Sequence, residues 1–155
     1  EDKRLGTGGA LSLMPEIEKN QSIIVMNGDI LTNSDFFNLY DFHKNQDASI
    51  TMCAVNYHVD IPFGVIDFNG TEVKNLVEKP SQNFFCNAGI YALSSHVMKD
   101  IPLNTFWNMT DLIDTCLAKN KKVSVFPLHE YWTDIGTPED LEKAQKQFNN
   151  KLSVL

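Results

Sequence analysis

Two aspartates, Asp29 and Asp134, stand where this sequence best supports chemistry. Asp29 closes the run Val25-Met26-Asn27-Gly28-Asp29, where a strand-like segment opens into a loop. Open α/β sheets bind ligands in the crevice beyond the carboxyl ends of their strands, so a carboxylate there can hold a divalent cation. Gly-Asp is equally ordinary turn chemistry, and Asp29 by itself leaves both roles open. Asp134 lies in Tyr131-Trp132-Thr133-Asp134-Ile135-Gly136, a stretch otherwise suited to burial, where a charge is costly unless paired or bound to a cation. It could also cap the helix that follows, but Thr137 already offers the capping hydroxyl.

Other candidates are weaker alone. Lys79, in Val77-Glu78-Lys79-Pro80, follows a strand and precedes a proline that stops further pairing, and spacing favours a solvated strand end. Gly64 and Gly89 interrupt strand patterns, the mark of a bulge or of close approach by a ligand. Leu5 to Ala10 (LGTGGA) opens a short helical pattern whose backbone N–H groups could cradle a phosphate or base. It is neither a GxxxxGK[ST] loop nor a GxGxxG fingerprint after a strand. The four histidines lack zinc spacing, Ser94-Ser95 lacks the flanking glycines of a hydrolase elbow, and the three cysteines contain no CxxC. The cysteines read as small buried groups in a reducing compartment.

The elements that must position these residues alternate. Ser22 to Asn27, Ala48 to Val55, Asn87 to Leu93, Val123 to Leu128 and Tyr131 to Ile135 read as strands. Phe63 to Phe68 and Thr71 to Val77, joined through Asn69-Gly70, read as a hairpin with a type I′ turn. Helices are predicted over Ser34 to Gln46, capped by Ser34 and presenting Phe36, Phe37, Tyr40 and His43, and over Thr110 to Lys119. A last helix starts at Thr137-Pro138 and continues through Leu141, Ala144 and Phe148. The pattern predicts an α/β sandwich around a mixed, mostly parallel sheet with an inserted β-hairpin.

With 155 residues the chain suits one domain, and its net charge of −7 argues against a nucleic-acid surface. Its longest apolar runs fall far short of the ~20 residues of a membrane helix. Glu1-Asp2-Lys3-Arg4 supplies neither an initiator Met nor a signal peptide, so the expectation is a cytoplasmic piece of something longer.

In order, LGTGGAL (Leu5 to Leu11), VMNGDIL (Val25 to Leu31), PFGV (Pro62 to Val65), EKP (Glu78 to Pro80), NAGIY (Asn87 to Tyr91) and WTDIGTPED (Trp132 to Asp140) resemble the sugar-1-phosphate nucleotidyltransferases. The details are most similar to bacterial guanylyltransferases acting on mannose-, heptose- or glucosamine-type 1-phosphates. The resemblance implies a Rossmann-like, GT-A type sandwich and the joining of a nucleoside triphosphate to a sugar 1-phosphate with loss of pyrophosphate. It implies that Asp29 and Asp134 hold Mg²⁺, that Lys79 contacts the sugar phosphate and Glu78 a sugar hydroxyl, and that Gly64, Asn87 and Gly89 line the sugar pocket. It places Gly6, Thr7 and Gly8 at the base or ribose. The family's GGxGTRL loop and PKP lysine are absent, so residues 1–155 are expected to be one catalytic domain lacking that segment, with little activity alone. A homo-oligomer is compatible with this reading. A glycosyltransferase of related fold ranks below it because no Asp-x-Asp occurs, and a noncatalytic sugar-phosphate-binding module is the third reading.

Overall fold

The computed structural model describes residues 2–152, with side-chain surroundings for residues 2–146. A four-residue helix, Gly6–Gly9 (α1), runs into a 3-10 turn, Ala10–Leu13. There follow β1 (Ser22–Met26), β2 (Ile30–Thr32), α2 (Phe36–Gln46), β3 (Ile50–Asp60), β4 (Val65–Asn69), β5 (Glu72–Val77) and β6 (Ser81–Ser94). A second 3-10 segment (Ser95–Asp100), α3 (Met109–Ala118), β7 (Val123–Pro127), β8 (Trp132–Asp134) and α4 (Pro138–Leu152) complete the order.

The central sheet runs β1-β6-β3-β7. β1, β3 and β7 share one direction, and β6 opposes them from an interior position. The sheet is therefore mixed, as the alternation predicts, and most of its strands point one way. Because the opposing strand is interior, β3 against β7 is the one parallel ladder within it.

Alternation along β3 and β6 divides two cores. Ile50, Tyr91 and Leu93 face α3, packing with Met109, Leu112, Ile113 and Cys116. Cys53, Val55, Ile90 and Ala92 face α2 and its Leu39. Successive strand side chains point to opposite faces, so these two strands supply both layers. Burying a side chain such as Leu112 contributes roughly 1.5–3 kcal/mol. Burial pushes the Cys53 thiol up to about 12, with Glu130 adding to the shift, so this cysteine is an inert core group.

Local chemistry departs from expectation at several points. Asp35, not Ser34, caps α2, its carboxylate accepting from Phe37 N–H at 2.8 Å, because Ser34 is engaged with the Thr32 hydroxyl. The buried face of α2 is Leu39 and His43, whereas Phe37 is 84% exposed. β3 and β6 outrun their predicted ends because their distal halves pair with one another from Ala54↔Asn87 to Asp60↔Ser81, leaving little burial for periodicity to register. At the hairpin tip Gly70 has φ +58° but Asn69 has no positive φ, so the turn has the Gly-first pattern of type II′. The last helix begins as predicted, Thr137 Oγ1 accepting from Asp140 N–H and donating to the Asp140 carboxylate. Ala144 is buried, and the Phe148 side chain lies outside the described residues.

Candidate functional site

The carboxyl end of β1 is tied to two distant segments. Asn27 N–H donates to the Gly89 carbonyl at 2.9 Å, continuing the β1–β6 ladder past the strand. β2 then pairs antiparallel with β8, Ile30 opposite Asp134, and Ile135 N–H donates to the Asp29 carbonyl at 2.8 Å. The Trp132 indole donates to the Ala88 carbonyl at 2.8 Å, fastening β8 to β6. Asp29 and Asp134, more than a hundred residues apart in sequence, are thus set on adjoining backbone at one end of the sheet.

Both carboxylates are exposed, and neither accepts a hydrogen bond or ion pair among the described residues. Asp134 was expected among buried side chains; instead it is the exposed end of β8, at the rim, with Trp132 and Thr133 half-buried beside it. No group of three or more His, Cys, Asp or Glu able to hold a metal occurs among the described residues. The donor chemistry of two unpartnered carboxylates suits Mg²⁺, which commonly takes one or two and fills its octahedron with phosphate and water oxygens.

Beside them β6 bends at Gly89, φ +68°, where an added Cβ would lie 2.8 Å from the Asn27 amide nitrogen. Conformation disfavours a side chain there, and a Cβ would also have to displace the end of the Asn27 side chain. Asn87 maintains the bend, accepting from Gly89 N–H at 3.1 Å and donating to the Tyr91 hydroxyl at 2.7 Å. Burial pushes the Tyr91 phenol up, partly offset by that donation, so it remains a neutral partner.

Gly64, Glu78 and Lys79 lie on the arm beyond the sheet. A Cβ on Gly64 would stand 3.0 Å from a Glu78 carboxylate oxygen and 3.2 Å from Leu76, so Gly64 and Glu78 are neighbours. Lys79 has φ +45°, uncommon for a residue with a side chain and more so before proline. Its ammonium makes no ion pair or hydrogen bond among the described residues. Six residue steps along extended β6, roughly 20 Å, separate Ser81 from Asn87, and no hydrogen bond or ion pair joins arm to crevice among the described residues. The structure therefore assembles the expected residues as two groups along one strand.

The glycine-rich start is differently employed. Gly8 and Gly9 N–H both donate to the Trp107 carbonyl, at 2.9 and 2.8 Å, and Thr7 Oγ1 accepts from Met109 N–H at 3.0 Å. A Cβ on Gly6 would meet the Trp107 carbonyl at 2.8 Å, and one on Gly9 the Thr105 carbonyl at 2.4 Å. These glycines allow close packing on the Thr105–Met109 segment, and a phosphate cradle made of the Gly8 and Gly9 amides is not formed. A base or ribose contact from Gly6, Thr7 and Gly8 rests on the resemblance alone.

Asn27, Ala88 and Trp132 belong to the crevice but carried no separate sequence signal. Asn27 reads as the last residue of the predicted strand, and the Trp132–Ala88 contact spans 44 positions.

A profile of nucleotidyl transferases matches residues 1–151. The chain belongs to the nucleotidyl transferase family. Among curated relatives, the mannose-1-phosphate guanyltransferase of Yarrowia lipolytica is 33% identical over 99% of this chain and 44% of its own length. Among solved structures, HddC from Yersinia pseudotuberculosis complexed with GMP-PN is 27% identical with a TM-score of 0.65, covering 96% of this chain and 64% of that one. A Bacillus anthracis protein described as a glucose-1-phosphate thymidylyltransferase, with sucrose bound, has a TM-score of 0.68 at 24% identity, covering 95% of this chain and 62% of that one, and shares the fold. This nucleotidyl transferase chain spans somewhat less than half the length of the curated relatives it matches.

Proposed function

We propose that the protein to which this chain belongs transfers GMP from GTP onto a sugar 1-phosphate, with mannose 1-phosphate as the first substrate to test, and releases pyrophosphate. The observation that carries the reading is the convergence of Asp29 and Asp134 on adjoining backbone with their carboxylates free. Family membership and the similarity to a mannose-1-phosphate guanyltransferase support it, as does the similarity to HddC crystallised with GMP-PN.

In the proposed reaction an oxygen of the sugar phosphate attacks the α-phosphorus of the triphosphate. A new P–O bond forms, the bond from that phosphorus to the bridging oxygen breaks, and the electron pair leaves with pyrophosphate. Two polyanions must meet, so the protein's work is positioning and charge neutralisation. Mg²⁺, when bound by Asp29 and Asp134, supplies positive charge to the phosphates. In this reading the arm carrying Gly64, Glu78 and Lys79 approaches the carboxylates when the sugar 1-phosphate binds, so that Lys79 offers its free ammonium to the sugar phosphate and Glu78 accepts from a sugar hydroxyl. Gly89, held to Asn27, presents backbone without a side chain where a substrate would approach.

The test is a pyrophosphate-release assay on the complete protein, across sugar 1-phosphates and the four nucleoside triphosphates, with and without Mg²⁺. Release confined to a sugar 1-phosphate with GTP and Mg²⁺ is expected. Formation of free GDP from a GDP-sugar in place of pyrophosphate would move the protein to the glycosyltransferases.

A further inference from the structure

Lys79 occupies left-handed backbone space immediately before Pro80, a combination that side-chain and proline sterics both oppose. Such a conformation persists where surrounding structure over-determines it. The residues that do so follow at once. Ile61 N–H donates to the Pro80 carbonyl at 3.0 Å, and Asp60 pairs with Ser81 as the last rung of the β3–β6 ladder. The Ser81 hydroxyl donates to Asp60 Oδ1 at 2.6 Å, and His58 Nε2 lies 3.0 Å from the same oxygen. His58 Nδ1 in turn meets Asn83 Oδ1, at 2.9 Å, across the next rung on the same face.

This lattice is on the surface, the His58 and Asp60 side chains being 53% and 74% exposed, where such contacts add little to global stability. What it fixes is local. Cross-strand side-chain bonds on consecutive same-face rungs lock the register of the strand pair where β6 leaves the Glu78-Lys79-Pro80 turn. Asp60 is also occupied by Ser81 and His58 without pairing with Lys79, whose ammonium stays free for an anion.

We propose that Asp60, through its hydrogen bonds to Ser81 and His58, is a positioning residue that holds the Glu78-Lys79-Pro80 turn in its strained form and so aims Lys79 at the sugar phosphate. This rests on the role given to Lys79 above. Loss of the Asp60–Ser81 bond relaxes the turn and spreads the ammonium over positions that miss the phosphate, without unfolding the sheet.

The experiment measures mannose 1-phosphate affinity calorimetrically for the complete protein and for Lys79→Ala, Asp60→Ala, Ser81→Ala and Ser81→Thr. The ¹³Cα and ¹³Cβ shifts of Lys79, which report its backbone conformation, are recorded alongside. Lys79→Ala is expected to weaken binding about tenfold or more. Asp60→Ala and Ser81→Ala are expected to weaken it about fivefold with displaced Lys79 shifts, and Ser81→Thr, which keeps the hydroxyl, to restore both. Weakened binding in Lys79→Ala with unchanged affinity and shifts in Asp60→Ala and Ser81→Ala overturns this inference alone. Unchanged affinity in Lys79→Ala overturns the sugar-phosphate reading, and the purpose assigned to Asp60 with it.

Discussion

The backbone N–H of Ile135 donates to the carbonyl of Asp29 at 2.8 Å, so the residue after Asp134 is fastened to Asp29 itself. The two carboxylates are therefore set by main-chain pairing and owe nothing to their own side-chain contacts. Asp29→Asn or Asp134→Asn should lower pyrophosphate release by the complete protein about a hundredfold or more. Chemical denaturation should show stability unchanged to within about 0.5 kcal/mol, because both side chains are exposed and unpartnered. Near-normal turnover in both variants would remove the metal role.

Gly89 and Gly70 separate two costs of replacing glycine. Both have positive φ, +68° and +58°, but a Cβ at Gly89 meets Asn27 at 2.8 Å whereas one at Gly70 meets nothing within 4 Å. Gly70→Ala should cost about 1 kcal/mol of unfolding free energy in urea. Gly89→Ala should cost that plus about 1–3 kcal/mol of overpacking, and should also weaken substrate binding. Equal costs would mean that the Asn27 side chain moves aside freely.

His43 and His58 should titrate with opposite consequences. His43 is buried between Thr51 Oγ1, 2.8 Å from Nδ1, and Ser94 Oγ, 3.0 Å from Nε2. The Ser94 hydroxyl donates to the Ala48 carbonyl, so Nε2 donates to Ser94 and Nδ1 accepts from Thr51, a neutral imidazole. Burial, then Lys44 and His96, hold its pKa below 6.5, so its contribution to stability is complete above about pH 6.5 and falls as pH drops toward the lower folded value. Hydrogen bonding to Asn83, then the Asp60 charge, raise His58 above 6.5, so its contribution is present below that value and is lost as pH rises through the raised one. Proton NMR should place the two imidazole midpoints on either side of 6.5. A His43 midpoint at or above 6.5 would contradict the neutral network.

Asp100 joins the segment before α3 to the loop after it. Burial pushes its carboxyl up, but hydrogen bonds from Lys119, at 2.6 Å, and from Lys121 outweigh this and hold its pKa below 3.8. Its contribution is therefore present above about pH 3.8 and lost as pH falls below that value. Asp100→Asn should cost about 1.5–3 kcal/mol at neutral pH and less at pH 3, read from denaturant midpoints at the two pH values. A cost independent of pH would show that packing, not charge, is at stake.

Much of the fold was legible because it is written in short-range patterns. The runs SIIVMN and VSVFPL, the Thr137-Pro138 start and the alternation of strands with helices each express a local backbone preference or a burial period that neighbouring residues reveal. The candidate residues were legible too, but through six ordered motifs resembling a family. Taken singly, Asp29, Lys79 and the glycines each had an ordinary structural reading.

Tertiary structure alone decided what those residues meet. Nothing near Asp134 announces Ile30 or Asp29, and although Tyr131, Trp132, Thr133 and Ile135 are half-buried, Asp134 itself is exposed where β8 pairs with a strand of three residues at the rim. The LGTGGA stretch looked free to cradle a ligand until the Trp107 carbonyl took two of its N–H groups from about a hundred positions away. The left-handed backbone of Lys79, two residues before the last β3–β6 rung, likewise shows only in the folded chain. Propensity and periodicity act over a few residues and are stored in the sequence directly, whereas register and cross-strand hydrogen bonds follow from how buried faces satisfy one another, and only the folded chain carries out that selection.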